Sequence, residues 1–202
     1  NITEAIVASL ASASIGAAWS SCPPEFGIPS VIDRFQQVAP KVLITTDGYA
    51  YNGKSFDSLS AVAEIQAGLP SLTQTVVFPY MNVDLDLNAL ANAILWDDVP
   101  VQGAALQFEP VPFAHPLYVV YSSGTTGMPK AIVHGHGGVL LEHLKAMALH
   151  MNLGETDCFF WFTTTGWMMW NYLLSGLLVG STIVVYDGSP AYPDMYALWR
   201  VV

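Results

Sequence analysis

The sequence predicts an α/β fold, a mostly parallel sheet flanked by helices, and three observations predict it. Over the first 45 residues, stretches with apolar positions at helical spacing alternate with short apolar, β-branched runs, the pattern of strands joined by crossover helices. A glycine- and hydroxyl-rich segment, Tyr121-Ser-Ser-Gly-Thr-Thr-Gly-Met-Pro-Lys130, lies between two apolar runs, as a ligand loop between two strands would. Thr164-Thr-Gly-Trp167 closes a further apolar run directly before a helical stretch, the position at which open α/β sheets bind ligands.

Taken in order, Ile2 to Ala17 is Ala-rich with helical spacing, and Ala17 to Ser21 reads as a short strand. Pro23 and Pro24 mark a turn. Ser30 is placed to cap a helix over Val31 to Val38, which Pro40 ends before a strand at Lys41 to Thr45. Tyr49-Ala-Tyr-Asn-Gly-Lys54 contains an Asn-Gly pair, the strongest short-range signal for a two-residue hairpin turn. Asp57 or Ser58 then caps a helix over Leu59 to Ala67, and Thr75 to Phe78 is the next strand. A short helix is expected at Leu87 to Leu95. Beyond the polar loop, the periodicity predicts a helix over Val139 to Met151 with Leu140, Leu144 and Met147 on its apolar face. A strand at Cys158 to Thr163, a helix at Gly166 to Leu178 and a strand at Thr182 to Tyr186 follow.

The loop after Tyr121 has the chemistry of a phosphate cradle. Gly124 and Gly127 allow backbone N–H groups to converge on an anion. Ser122, Ser123, Thr125 and Thr126 add hydroxyl donors, and Lys130 adds a mobile positive charge. The spacing from Gly124 to Lys130 does not fit G-x-x-x-x-G-K-[ST], so the loop is not that of a P-loop NTPase.

Composition narrows the function classes. The formal charge is −10 with six Lys and Arg spread singly, which excludes a phosphate-tracking basic stripe and with it nucleic acid as partner. A phosphate ligand must then be held locally, by backbone N–H groups and Lys130. Hydrophobic residues make up 52% of the chain and charged ones 11%, a balance that fits a deep core or surfaces covered by further chain. The apolar run at Leu173 to Tyr186 is interrupted by Ser175, Gly176, Gly180 and Ser181 and is too short for a membrane span. The chain lacks a secretory signal pattern, since Asn1 to Ala18 has no basic start, and the expected location is the cytoplasm. Cys22 and Cys158 are far apart and lack a C-x-x-C partner, so free buried thiols are expected. Asp84, Asp86, Asp97 and Asp98 come in two pairs without the turn glycine of a calcium loop and read as solvated carboxylates. His134, His136, His143 and His150 do not form a zinc ligand set. No metal ligand is assigned. Asn1 opens inside a helical pattern and Val202 follows a helix-like segment, so the chain is expected to be an internal piece of a longer protein.

With these residues in view, the loop closely resembles the phosphate-binding signature of adenylate-forming enzymes, the acyl-CoA synthetase and luciferase-like superfamily. The segments Ala131 to Lys145 and Phe159 to Ser181 are similar to those of short-chain members that act on the 3-keto acid acetoacetate, and the resemblance runs from Asn1 to about Trp199. It implies that residues 1–202 form part of the large N-terminal AMP-binding domain, with the small C-terminal domain outside the chain. It also implies ATP, Mg²⁺ and coenzyme A as co-substrates and cofactor, and activation of the acid to acyl-AMP and then to the thioester. Thr125, Thr126, Gly127 and Lys130, with Ser122, Ser123 and Gly124, would hold the phosphates. Trp167, Met168, Met169 and Asn171 would line the acyl pocket, with Met169 and Trp170 either pocket or core. Lys54 would meet the nucleotide of coenzyme A. The Y-G-x-T-E and T-G-D motifs of the family are not in this sequence, nor is the lysine used on the α-phosphate, so no catalytic residue is assigned and the 202 residues alone are expected to be inactive. The expected partners are small molecules and the remainder of the polypeptide, with no membrane. Two alternatives stay open: a non-catalytic nucleotide-binding module, and an adenylating ligase for another carboxylic acid.

Overall fold

A computed structural model describes residues 1–82, 84–100, 103, 105–123 and 127–201. The chain divides into two compact units, one formed by Asn1–Pro23 with Leu106–Asp187 and the other by Pro24–Ala105 with Gly188–Val202. Four of the six strand pairings among the described residues are parallel, and helices connect and cover the strands, as expected for the α/β class.

In the first unit, helix α1 (Thr3–Ser14) leads into strand β1 (Trp19–Ser20). Gly16 turns the chain after the helix with a φ of +71°, a conformation glycine adopts without strain. In the second unit, helix α2 (Ile28–Phe35) begins with Gly27 as its cap and Pro29 in its first turn, one turn earlier than a Ser30 cap predicts. Proline at a helix start loses no bond, because that N–H is unpaired in any case. Strand β2 (Val42–Thr46), the hairpin of β3 (Gly48–Tyr51) and β4 (Lys54–Asp57), helix α3 (Leu59–Gly68) and strand β5 (Gln74–Phe78) follow. Asn52 and Gly53 both have positive φ, +51° and +74°, the geometry a tight two-residue hairpin requires. At the start of α3 the Asp57 carboxylate accepts the Leu59 N–H at 3.1 Å, so the capping bond comes from Asp57 and not from Ser58.

The helix expected at Leu87 to Leu95 does not form. Strand β6 (Ala93–Leu95) takes its end, parallel to β5, and a 3₁₀ turn covers Trp96–Asp98. The backbone groups before β6 are committed elsewhere. Gln66 on α3 donates to the Ala91 carbonyl at 2.9 Å and accepts the Ala91 N–H at 3.1 Å. Thr75 donates its N–H to the Asn92 carbonyl, and Asn92 sits at φ +47°, outside the helical region. Val62, Val77 and Leu90 form the core of this unit, with Leu43, Leu59 and Ala63 packed around them.

Back in the first unit, strands β7 (Pro116–Ser122) and β8 (Lys130–Gly135) pair antiparallel, and β1 lies parallel on the other side of β7, giving the order β1-β7-β8. Helix α4 runs over His136–Leu144 and continues as a π-helical turn at Lys145–His150. It therefore starts three residues before the expected Val139. His143, Ala146 and Met147 are buried, whereas Leu140, expected on the apolar face, is exposed. Strand β9 (Cys158–Phe160) pairs parallel with β10 (Thr182–Val184). Between them the predicted single helix is split into α5 (Met168–Leu174) and a 3₁₀ segment at Ser175–Val179. Gly176 allows this close packing, since a Cβ there would lie 2.8 Å from Ile183. Met147, Phe159 and Leu173 form the core between these elements. Neither cysteine is in a disulfide, but Cys158 is exposed and Cys22 only half-buried, where buried thiols were expected. No helix among the described residues is long and apolar enough to cross a membrane.

Candidate ligand-binding site

The β7–β8 hairpin carries the hydroxyl-rich loop. Ser122 is the register partner of Lys130, so this pair closes the loop and fixes where the lysine leaves the sheet. Gly124, Thr125 and Thr126 lie outside the described residues. Of the remainder, Ser122 is half-buried at the end of β7, while Ser123, Gly127 and Lys130 are exposed. Gly127 has φ +140° with open space where a side chain would stand, so glycine is required here by the backbone and not by crowding. No carboxylate among the described residues pairs with Lys130, and its ammonium is therefore available to an anion.

The base of the hairpin is closely packed. Tyr118 is buried on β7, stacks on His134 of β8 with centroids 4.9 Å apart, and has its hydroxyl pushed up to a pKa of about 12 by burial. Gly137, in the first turn of α4, lies directly under the Phe113 ring, where a Cβ would approach to 2.1 Å. This contact gives the Gly137-Gly138 pair after His136 a packing reason at its first position. His136 has a lowered pKa, from burial first and then the neighbouring His115.

The second motif sits beside the first. Trp167 caps α5 and is 65% exposed, Met168 is exposed, and Met169 is partly buried. Ahead of them, the Thr165 carbonyl accepts the Ser21 hydroxyl at 2.5 Å, and Gly166 packs so tightly on Pro23 that a Cβ would come within 2.3 Å of it. Ser21 and Pro23 follow the carboxyl end of β1, and β1 runs parallel to β7 in the register Trp19↔Tyr118 and Ser20↔Val119. The Thr165–Trp167 turn and the hydroxyl-rich hairpin thus both lie beyond the carboxyl ends of two adjacent parallel strands. That is the general ligand position of open α/β sheets. The Thr164 hydroxyl is buried without a protein partner among the described residues, a donor left over for a polar ligand or water.

Asn171 and Trp170 are buried in α5, Trp170 completely. Trp170 stacks on Trp19 with centroids 6.1 Å apart, so it is core. Lys54, in the other unit, is exposed at the first position of β4. Sequence reasoning missed the link between α4 and α5. His143 hydrogen-bonds Ser175, whose hydroxyl donates to the Asn171 carbonyl at 3.0 Å. The signal was one histidine and one serine 32 residues apart, which no local pattern connects.

Burial lowers the His143 pKa; Glu142 opposes this and His134 adds to it. With the folded value below the unfolded one, the unfolded chain takes up the proton first, so stability is unaffected above the ordinary histidine range and falls as pH drops through and below it. His136 contributes in the same direction. His143→Gln is expected to flatten the decline of stability between about pH 6.5 and the lowered folded value. Denaturant midpoints across that range test it, and parallel curves for both proteins would refute it.

The described residues contain no cluster of three or more His, Cys, Asp or Glu able to hold a metal. A magnesium ion that arrives with a triphosphate would be held by phosphate oxygens and water, the mode magnesium favours.

The AMP-binding enzyme family model matches residues 1–202. The chain belongs to this family. It is 50% identical over 200 residues to an acetoacetyl-coenzyme A synthetase of Rhizobium meliloti (strain 1021), covering 96% of this chain and 30% of that protein. It is 44% identical over 209 residues to an acetoacetyl-CoA synthetase of Gallus gallus, covering 100% and 31%. Among solved structures, an acetoacetyl-CoA synthetase from Streptomyces lividans superposes with a TM-score of 0.94 at 52% identity, over 100% of this chain and 30% of that one. The chain thus spans about a third of the length of the AMP-binding relatives it matches.

Proposed function

We propose that this chain is part of an acid–thiol ligase that activates acetoacetate with ATP and passes the acyl group to coenzyme A. The observation that carries the proposal is the placement of the hydroxyl-rich hairpin and the Thr165–Trp167 turn beyond adjacent strands β1 and β7. The identity to acetoacetyl-CoA synthetases supports the choice of acid.

In this reading residues 1–202 belong to the large AMP-binding domain. A carboxylate oxygen of the acid attacks the α-phosphorus of ATP, the bond to pyrophosphate breaks, and acyl-AMP forms. The thiolate of coenzyme A then attacks the acyl carbon and AMP departs. Ser122, Ser123, Gly127 and Lys130, with Gly124, Thr125 and Thr126, hold the departing phosphates. Mg²⁺, bound to those phosphates, would neutralise part of their charge. Trp167, Met168, Met169 and Asn171 shape the acyl site, and Lys54 meets the coenzyme A nucleotide. None of these groups is asked to move a proton. The chain contributes positioning and charge stabilisation, which supply most of the acceleration in phosphoryl-transfer chemistry. Two cysteines outside any disulfide fit a reducing, cytoplasmic location.

The test is ATP–pyrophosphate exchange by a full-length chain with acetoacetate, acetate and longer acids. Acetoacetate is expected to be strongly preferred. Exchange without that preference would remove the substrate assignment, and no exchange with any acid would leave a nucleotide-binding module. The isolated 202 residues are expected to form no thioester; measured turnover would overturn the assignment to part of a larger catalytic unit.

A further inference from the structure

The hairpin that carries Lys54 is exposed from Tyr51 to Asp57, and a two-stranded ribbon in water is marginal without support. Its support is at the base. Asp47, between β2 and β3, is completely buried. Its Oδ1 accepts the backbone N–H groups of Tyr80 at 2.7 Å and Met81 at 2.9 Å, and its Oδ2 accepts the backbone and side-chain N–H groups of Asn82, both at 2.9 Å. Four donors on one carboxylate tie the start of the hairpin to the segment that follows β5. The Asp47 carbonyl also accepts the Ser58 N–H at 2.8 Å, so the same residue holds the chain on leaving the hairpin. Gly48 is pressed against the Phe56 carbonyl, where a Cβ would come to 2.4 Å, and Tyr49 stacks on Phe56 at 4.8 Å. Near the turn, the Tyr192 ring lies against Gly53. The direction in which Lys54 leaves the unit is therefore set mainly where Asp47 grips residues 80–82.

We propose that Asp47 is a positioning residue for the coenzyme A step, acting through the β3–β4 hairpin to place Lys54. The proposal rests on the reading of Lys54 as a coenzyme A contact, and it predicts that the two half-reactions respond differently. Asp47→Asn keeps an oxygen for Tyr80 and Met81 but turns an NH₂ group toward the two Asn82 donors, so that half of the grip becomes donor against donor. In a full-length chain this substitution is expected to raise the KM for coenzyme A about tenfold, a sizeable part of what a charge-assisted contact supplies. ATP–pyrophosphate exchange with acetoacetate should stay within about twofold, the spread of a substitution remote from that step. Lys54→Ala separates the two ideas. If it leaves the KM for coenzyme A unchanged, the lysine assignment fails and the proposal with it. If it raises the KM and Asp47→Asn adds nothing in the double variant, Asp47 acts through Lys54 as proposed. Effects that multiply in the double variant overturn the proposal, as does an equal loss of exchange activity, which would mark a general structural role. Should Asp47→Asn fail to fold, Asn82→Ala removes one of the four donors and carries the test: a raised KM with intact exchange supports the proposal, and an unchanged KM overturns it.

Discussion

Lys130→Ala in a full-length chain is expected to lower kcat/KM for ATP by about 10- to 150-fold, the equivalent of about 1.5–3 kcal/mol for hydrogen bonds from a charged donor. The expectation follows from where the lysine stands. Its register partner Ser122 closes the hairpin, its side chain is exposed, and no carboxylate among the described residues competes for it. An exposed, unpaired ammonium contributes little to folding, so the variant should unfold within about 0.5 kcal/mol of the parent. Activity and stability are thus expected to separate. Lys130→Arg keeps the charge but spreads it over a planar fork, and a partial recovery would show that a compact cation is what the loop needs. An unchanged dependence on ATP concentration in Lys130→Ala would remove the lysine from the phosphate site.

Local rules made much of the fold legible. The Asn52-Gly53 turn, the strands at residues 42–46, 74–78 and 116–122, and the loop that joins β7 to β8 each carry their signal within a few residues. What failed was decided at long range. Residues 87–92 have helix-compatible composition, but Gln66, 25 residues away, claims the Ala91 backbone and Thr75 claims that of Asn92. A helix there would leave those partners unpaired. The π turn after α4 is equally invisible to a 3.6-residue period, which predicts a regular helix through Met151. Of the proposed site, the hydroxyl-rich segment and the Thr164–Trp167 turn stand out in the sequence, but the hold of Asp47 on residues 80–82 does not. A lone aspartate before a glycine looks like turn chemistry until three consecutive backbone N–H groups from residues 80–82 are brought to it.

Trp170→Ala is expected to destabilise the chain by about 3–5 kcal/mol, the range for deleting a fully buried aromatic side chain. Three losses combine. The ring is completely buried, so its removal leaves a cavity between α5 and β1. The stack on Trp19, with planes 24° apart, disappears, worth about 0.5–1.5 kcal/mol beyond area. The Nε1 bond to the Asn1 side chain, 2.9 Å long, is also lost. In thermal unfolding this corresponds to a drop of about 6–20 °C for a chain of 202 residues. Trp170→Phe should fall between parent and alanine, because it keeps most of the packing and loses the N–H. Trp167, three residues earlier, makes the opposite prediction. It is exposed at the cap of α5, so Trp167→Ala should change stability by no more than about 0.5 kcal/mol while raising the KM for the acid about tenfold, roughly the worth of one well-placed apolar contact. One helix start therefore holds a buried structural tryptophan and an exposed one proposed to face the ligand, and the pair of variants separates them. If Trp167→Ala costs as much stability as Trp170→Ala and leaves acid use unchanged, then the exposed ring has no pocket to line and the acyl site lies elsewhere.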